Sequence, residues 1–395
     1  MLCAVSDHPA SHSRRRRPWA APLSARSATE PHRVSTPLEL LFDLVFVVAI
    51  AQAAAGLHDA LSEGHAAAGV RMYAMVFFGI WWAWLNFTWF ASAYDNDDVM
   101  YRLLVFLQLT GALIFAAGIP RFQNGDLAVG VAGYVVMRLA LVSLWLRAAK
   151  GDPPRRAAAQ RYALGVLLVQ TAWVGLVFTP ARLHLLGFAA LVVCEVLVPA
   201  WAEHATPTTW HPHHIAERYG LFTIITLGES ILAASIALKS AFEAGATALS
   251  LLPIIAGGLL IVYSLWWLYF DRAAHEVLDS APAAFLWGYG HYFVFGAAAA
   301  VGAGLGVSID HAMHRLHITD SLAGAAVAVP VAVYLLCLWF LHARKEPGVS
   351  IATPLVAIAV LLSTLMGQAV LCTGVLVAGL VGFKAVEATS ADRSS

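Results

Sequence analysis

The residues of this sequence best placed to do chemistry are carboxylates set inside apolar runs. In Thr36-Pro37-Leu38-Glu39-Leu40-Leu41-Phe42-Asp43-Leu44-Val45-Phe46-Val47, Glu39 and Asp43 stand four residues apart, the spacing that puts two side chains on one helix face. Thr36 as N-cap, Pro37 at the first helical position and Glu39 three residues after the cap spell a helix start closed by a capping box. Glu39 therefore has a structural task. Asp43 lies a turn deeper, about 10 Å from the capped end, where an ionisable group in hydrocarbon must be paired, hydrated or neutralised.

Arg138, Glu195 and Glu229 also stand within apolar segments, each about 16–18 Å from its segment's end. One cation then faces three carboxylates, counting Asp43. Arg138 can pair with one of them and fix helix packing, or serve as a counter-charge or a contact for an anionic substrate. The carboxylates left over must be protonated, hydrated in a cavity or bound to a cation. Gly228 and Ser230 flank Glu229 and can loosen a helix there, as in transporters whose helices break at the midplane; a lone glycine is equally a packing contact. Glu195, beside Cys194, leans toward packing. Asp43, Glu229, Arg138, Glu195, Glu39, Glu217 and Arg218 form the candidate ion- or substrate-binding set.

Trp81, Trp82, Trp84, Phe87, Trp89 and Phe90 read as an interfacial aromatic belt or a ligand-stacking wall. Asn86, Gln52, Gln108 and Gln170 read as interhelical hydrogen-bond partners. His211, His213 and His214, followed by Glu217, and His311, His314 and His317 beside Asp310 have spacings that converge on a metal if helical, but both clusters fall in expected loops. No metal site is assigned, and no cofactor or catalytic residue is named, because the chain carries no phosphate-cradling glycine motif, nucleophile elbow or zincin signature. The four cysteines have no ligand spacing and read as small hydrophobes.

The elements that hold these residues follow from composition. Of 395 residues, 60% are hydrophobic and 12% charged, with a mean hydropathy of +0.72; soluble domains carry about 25% charged residues. The fold class is thus all-α, a polytopic helix bundle in a lipid bilayer, with no nucleic-acid partner indicated by a net charge of zero. Apolar segments of spanning length fall at roughly 38–57, 70–91, 100–119, 127–147, 161–179, 183–201, 219–238, 251–270, 285–307 and 321–341. The run 351–386 is too long for one span, and division near Gly367-Gln368 gives twelve in all, with eleven as the alternative.

Lys and Arg gather on one side of this arrangement, and only Arg71, Arg121, Arg182, Lys239 and Arg315 fall on the other. The positive-inside rule then places both termini on the cytoplasmic side of the membrane. Residues 1–34, with Arg14-Arg15-Arg16-Arg17, read as a disordered basic tail, 35–386 as the membrane domain and 387–395 as a short second tail. Glu39 to Gln52 with the following Trp-rich span has a counterpart in Glu217 to Ser230 with Trp266-Trp267, and both aromatic spans end in acidic clusters (Asp95, Asp97 and Asp98; Asp271, Glu276 and Asp279). Six spans per unit would make the halves, 35–201 and 216–386, parallel repeats.

Through Glu39-Leu40-Leu41-Phe42-Asp43-Leu44-Val45-Phe46-Val47, and Glu217-Arg218-Tyr219-Gly220-Leu221-Phe222 with Leu227-Gly228-Glu229, the sequence resembles the bacterial low temperature requirement A family over residues 35–386. The resemblance implies a polytopic inner-membrane protein named for growth in the cold, with no settled substrate or reaction. The expected function is a secondary transporter or ion-coupled carrier that moves a proton or cation with a small substrate through buried carboxylates. The alternatives are a structural or regulatory membrane protein, or a membrane-embedded lipid-handling enzyme with its catalytic cluster at one interface.

Overall fold

The computed structural model describes residues 18–392 except 29, 31, 32, 123, 124, 272–277, 279 and 344–348. The arginine run, Glu276 and Asp279 lie outside these. Twelve α-helices follow one another, with no strand among the described residues: α1 (Pro37–Ser62), α2 (Ala66–Tyr94), α3 (Val99–Phe122), α4 (Ala128–Gly151), α5 (Arg156–Val177), α6 (His184–Glu203), α7 (Pro212–Glu243), α8 (Ala248–Phe270), α9 (Ala281–Ala312), α10 (Asp320–Leu338), α11 (Val349–Leu362) and α12 (Ala369–Asp392).

Ten helical segments are long and apolar enough to cross a membrane. The other two helices are α5, whose first turns carry Arg156, Gln160 and Arg161, and α11, which ends where the chain breaks at Met366–Gln368. Against the expectation of twelve spans, the twelve helices include ten of spanning character among the described residues.

α1 begins as its sequence dictates. The Glu39 amide donates to Thr36 Oγ1 (3.3 Å) and the Thr36 amide to Glu39 Oε2 (2.7 Å), closing the capping box. α9 occupies the middle of the bundle against α1, α7, α8 and α10. Its glycines allow this closeness: a Cβ on Gly302 would lie 2.7 Å from the Ser230 Cα, and one on Gly304 would run into the Ala326 carbonyl oxygen. Small-residue faces of this kind let membrane helices meet backbone to backbone.

The described residues between 18 and 34, read from composition as part of a disordered tail, lie against the bundle. Leu23 is fully buried beside Gly151, the Arg26 amide donates to the Ala93 carbonyl (2.8 Å), and the Ala21 amide donates to Asp98 (2.7 Å). One apolar side chain and a few backbone hydrogen bonds dock a segment whose polar composition gave no sign of it. The aromatic stretch of α2 is likewise core: Trp81, Trp82 and Trp84 are buried. Cys194, expected to be buried, is exposed at the bundle's rim, while Cys337 and Cys372 are half-buried.

Candidate functional site

α1 and α7 lie side by side, and each turns two ionisable residues, one helical turn apart, toward the other. Asp43 accepts two hydrogen bonds from one guanidinium, from Arg218 Nη2 (2.6 Å) and Nε (3.1 Å), the bidentate geometry that makes such pairs strong. The indole N–H of Trp84, from α2, completes the Asp43 shell at 2.7 Å. Glu39 Oε1 lies 3.0 Å from His214 Nε2, 3.2 Å from Arg218 Nη1 and 3.8 Å from Arg33 Nη2. Asp43, His214 and Arg218 are inaccessible to solvent, and Glu39 nearly so. α7 is set at this height by its own cap, His211, whose ring accepts the His214 amide (3.4 Å) and contacts the Glu30 carbonyl at 2.9 Å.

The network continues to Asp95, just beyond the end of α2, which lies 3.8 Å from Arg33 and 3.7 Å from Arg26. Burial and the neighbouring Glu39 carboxylate push the Asp95 carboxyl up to about 6, against the pull of the two guanidiniums. The fully buried part of the network thus holds three carboxylates, Glu39, Asp43 and Asp95, and two guanidiniums, Arg33 and Arg218, with a third, Arg26, half-buried at its edge beside Asp95. A buried group left unneutralised is costly, so a proton on Asp95 balances the charge.

A second network stands apart from the first. Glu195 of α6 accepts from four donors: Trp82 (2.7 Å) and Arg138 (3.0 Å) on Oε2, and Tyr134 (2.9 Å) and Trp173 (3.2 Å) on Oε1. The Arg138 guanidinium also donates to the Tyr134 hydroxyl (2.6 Å) and sits 4.7 Å over its ring. Arg138 therefore pairs with Glu195 and with neither Asp43 nor Glu229. Trp82 and Trp84, two residues apart and so on different sides of α2, hand one indole N–H to each buried carboxylate. The belt and the stacking wall both give way to a third role for these tryptophans, that of hydrogen-bond donors to buried anions.

Glu229 is alone. It is eleven residues, or three turns, beyond Arg218 on the same face of α7, buried, and without a hydrogen bond or ion pair to any described residue. α7 runs unbroken through Gly228, whose missing Cβ would meet nothing; the expected loosening at this glycine is absent because Ser230 and the α9 backbone hold the helix through a 2.6 Å hydrogen bond to the Ala298 carbonyl. Glu217 is at the network's edge, accepting the Ser35 amide at 3.2 Å.

The acidic cluster after α2 disperses. Asp97 pairs with Arg102, while Asp98 caps α3 through the Tyr101 amide (2.7 Å) and takes Arg147 (2.6 Å). Among the described residues no three His, Cys, Asp or Glu side chains are grouped to hold a metal ion; His311 instead meets Asp320 (2.7 Å). Of the expected hydrogen-bond partners, Asn86 donates to the Trp82 carbonyl (2.8 Å), Gln52 is exposed, and the Gln170 amide is buried without a partner. Arg218 stands one residue before the span expected at 219–238, yet the structure places it inside α7. The overlooked signal is its place six residues after Pro212, a turn and a half inside α7.

The family model described as bacterial low temperature requirement A protein (LtrA) matches residues 34–386, nearly the whole chain. An uncharacterized protein of Rhizobium meliloti (strain 1021) is 29% identical over 309 residues, covering 72% of this chain and 71% of its own length. No solved structure matches.

Proposed function

The chain belongs to the bacterial low temperature requirement A family, and on that premise we propose that it is a proton-linked carrier of the bacterial inner membrane whose coupling site is the α1–α7 network. The observation that carries this reading is the charge imbalance: three buried carboxylates against two buried guanidiniums, with Asp95 pushed up to about 6. Such a cluster takes up or releases a proton near neutral pH. Asp43 and Arg218 form its fixed pair, and Asp95 is the group that takes up the proton. Glu229, further along the same face of α7, is the next acceptor.

The order of helix contacts supports a two-part architecture. α1 packs on α3, α3 on α4, α4 on α5 and α5 on α6; α7 repeats this with α9, α10, α11 and α12. Two six-helix halves related in this way meet at α1 and α7, where the network lies, as sites do in carriers built from repeats. The lysine and arginine asymmetry puts the termini in the cytoplasm, and the α1–α7 network then faces the cytoplasmic side.

The test is proton and alkali-cation flux into proteoliposomes, wild type beside Asp43→Asn and Glu229→Gln. Gradient-driven proton movement that both substitutions abolish in folded protein supports the reading. No flux under any gradient refutes it and leaves the network as a packing device, the use that isolated buried ion pairs most often have.

A further inference from the structure

The second network stands between two cavities, one lined by α2 to α6 and the other walled by α9 as well. One, of about 310 Å³, is lined by Met75 and Phe78 of α2, Tyr134 of α4, Trp173 of α5 and Phe188 of α6, and reaches Gly125 between α3 and α4. The other, of about 170 Å³, is lined by Asn86, Trp145, Tyr162, Glu203 and Phe285 and reaches Thr208 between α6 and α7. The order is the same on every helix. Along α2 the first cavity precedes Trp82 and the second follows it, along α4 they flank Arg138, and along α6 they flank Glu195. Trp173 and Tyr162 of α5 line one each, with Gln170 between them. Two vestibules at opposite ends of the bundle are therefore separated by a layer of charged and aromatic side chains six residues deep along α2 and eleven along α4, α5 and α6, about 9–16 Å.

The chemistry of that layer is lopsided. Two indole N–H groups, a phenol and a guanidinium converge on the Glu195 carboxylate, yet Arg138 Nε and Nη1 and the Gln170 amide remain buried with no partner. Leaving such groups unused is costly; Gln170 holds one donor and one acceptor, so the surplus donors are Arg138 Nε and Nη1, on a side chain only 1% exposed. Donors that outnumber acceptors, around a carboxylate on a flexible two-carbon stem, make a cradle for an anion in which the protein's own carboxylate now sits.

We propose that Trp82, Tyr134, Arg138 and Trp173 form a binding site for a small monovalent anion, and that Glu195 is the gate that fills it. An anion arriving from either vestibule replaces the Glu195 carboxylate on the same donors as Glu195 swings aside, so charge within the cradle is conserved through the exchange. The inference rests on the carrier reading and supplies its substrate class.

Three measurements test it. In a chain whose native cysteines are replaced, Met75→Cys is labelled by a membrane-impermeant thiol reagent from one side of the membrane only and Phe285→Cys from the other only; labelling of both from one side, or of neither, overturns the passage. Glu195→Ala empties the cradle, so sodium acetate raises its melting temperature but not that of wild type or of Glu195→Ala/Arg138→Met; no selective rise overturns the cradle. In proteoliposomes Glu195→Ala and Glu195→Gln admit bromide roughly ten-fold faster than wild type, a change of about 1.4 kcal/mol in the barrier. Acetate rescue without bromide entry overturns the gate and leaves Glu195 a packing residue. Bromide entry in the variants, with no proton movement in wild type, overturns proton coupling and keeps the anion site. Proton movement with neither bromide entry nor acetate rescue does the reverse.

Discussion

Replacing Arg218 by Met strands Asp43 and weakens the shell of Glu39 without changing the size of the side chain greatly. Arg218 gives Asp43 two hydrogen bonds at 2.6 and 3.1 Å and stands 3.2 Å from Glu39, all beyond the reach of solvent. Hydrogen bonds to charged groups contribute about 1.5–3 kcal/mol each, and removing one partner of a buried pair costs about 3–5 kcal/mol. The bonds share one guanidinium and do not add fully, so Arg218→Met should destabilise by about 4 kcal/mol, roughly a thousand-fold in the folding equilibrium. Asp43→Asn removes the stranded charge, and the double variant should recover about 2 kcal/mol relative to the sum of the single changes, within the range seen for directly paired residues. The assay is unfolding in mixed micelles at rising SDS fraction, followed by tryptophan fluorescence, since Trp84 stacks on Phe222 at 4.3 Å beside the pair. Arg218→Met within about 1 kcal/mol of wild type, or strict additivity in the double variant, would refute the strong buried pair.

Acid should stabilise the protein through Asp95. Its folded value of about 6 lies above the unfolded aspartate value of about 3.9, so between the two the folded chain keeps a proton that the unfolded chain has lost. Stability then falls by about 2–3 kcal/mol as pH rises from about 4 to 6, and Asp95→Asn should flatten this stretch of the melting-temperature profile. Glu229→Gln, which replaces an unpaired buried carboxylate, should raise the melting temperature while abolishing proton flux; a loss of stability would instead point to an ion pair at this position. Gly304→Ala drives a methyl into the Ala326 carbonyl and should cost about 1–3 kcal/mol. Gly228→Ala, with open space beside it, should gain up to about 1 kcal/mol from helix propensity, and the two melting curves read side by side check both.

Much of the bundle is written in local signals. The capping box at Thr36, the division of the last apolar run and the close-packed glycines of α9 follow from rules that act within a few residues. Arg138 as half of an ion pair was one of two sequence readings, and Glu195 is its partner. The first network was only half legible, because depth along a helix depends on where the helix begins. Arg218 reads as lying just before its span until Pro212 is recognised as the start of α7, and with Arg218 in place Asp43 no longer contributes to a carboxylate surplus; Asp95 and Glu229 do. The donor roles of Trp82 and Trp84 depend on which helices face α2, a matter of tertiary packing that an aromatic-rich stretch does not encode. Docking of the described residues between 18 and 34 rests on the fit of Leu23 against Gly151 and on ion pairs and hydrogen bonds to distant helices, partners that the segment's own polar composition does not reveal.

The most direct measurement is the pH dependence of proton flux through wild-type protein in proteoliposomes, beside that through Asp95→Asn. A proton-linked α1–α7 network predicts that wild-type flux follows a single ionisation near the Asp95 value of about 6 and that Asp95→Asn loses this dependence. Flux with the same pH profile in both proteins, or no flux in either, would contradict it.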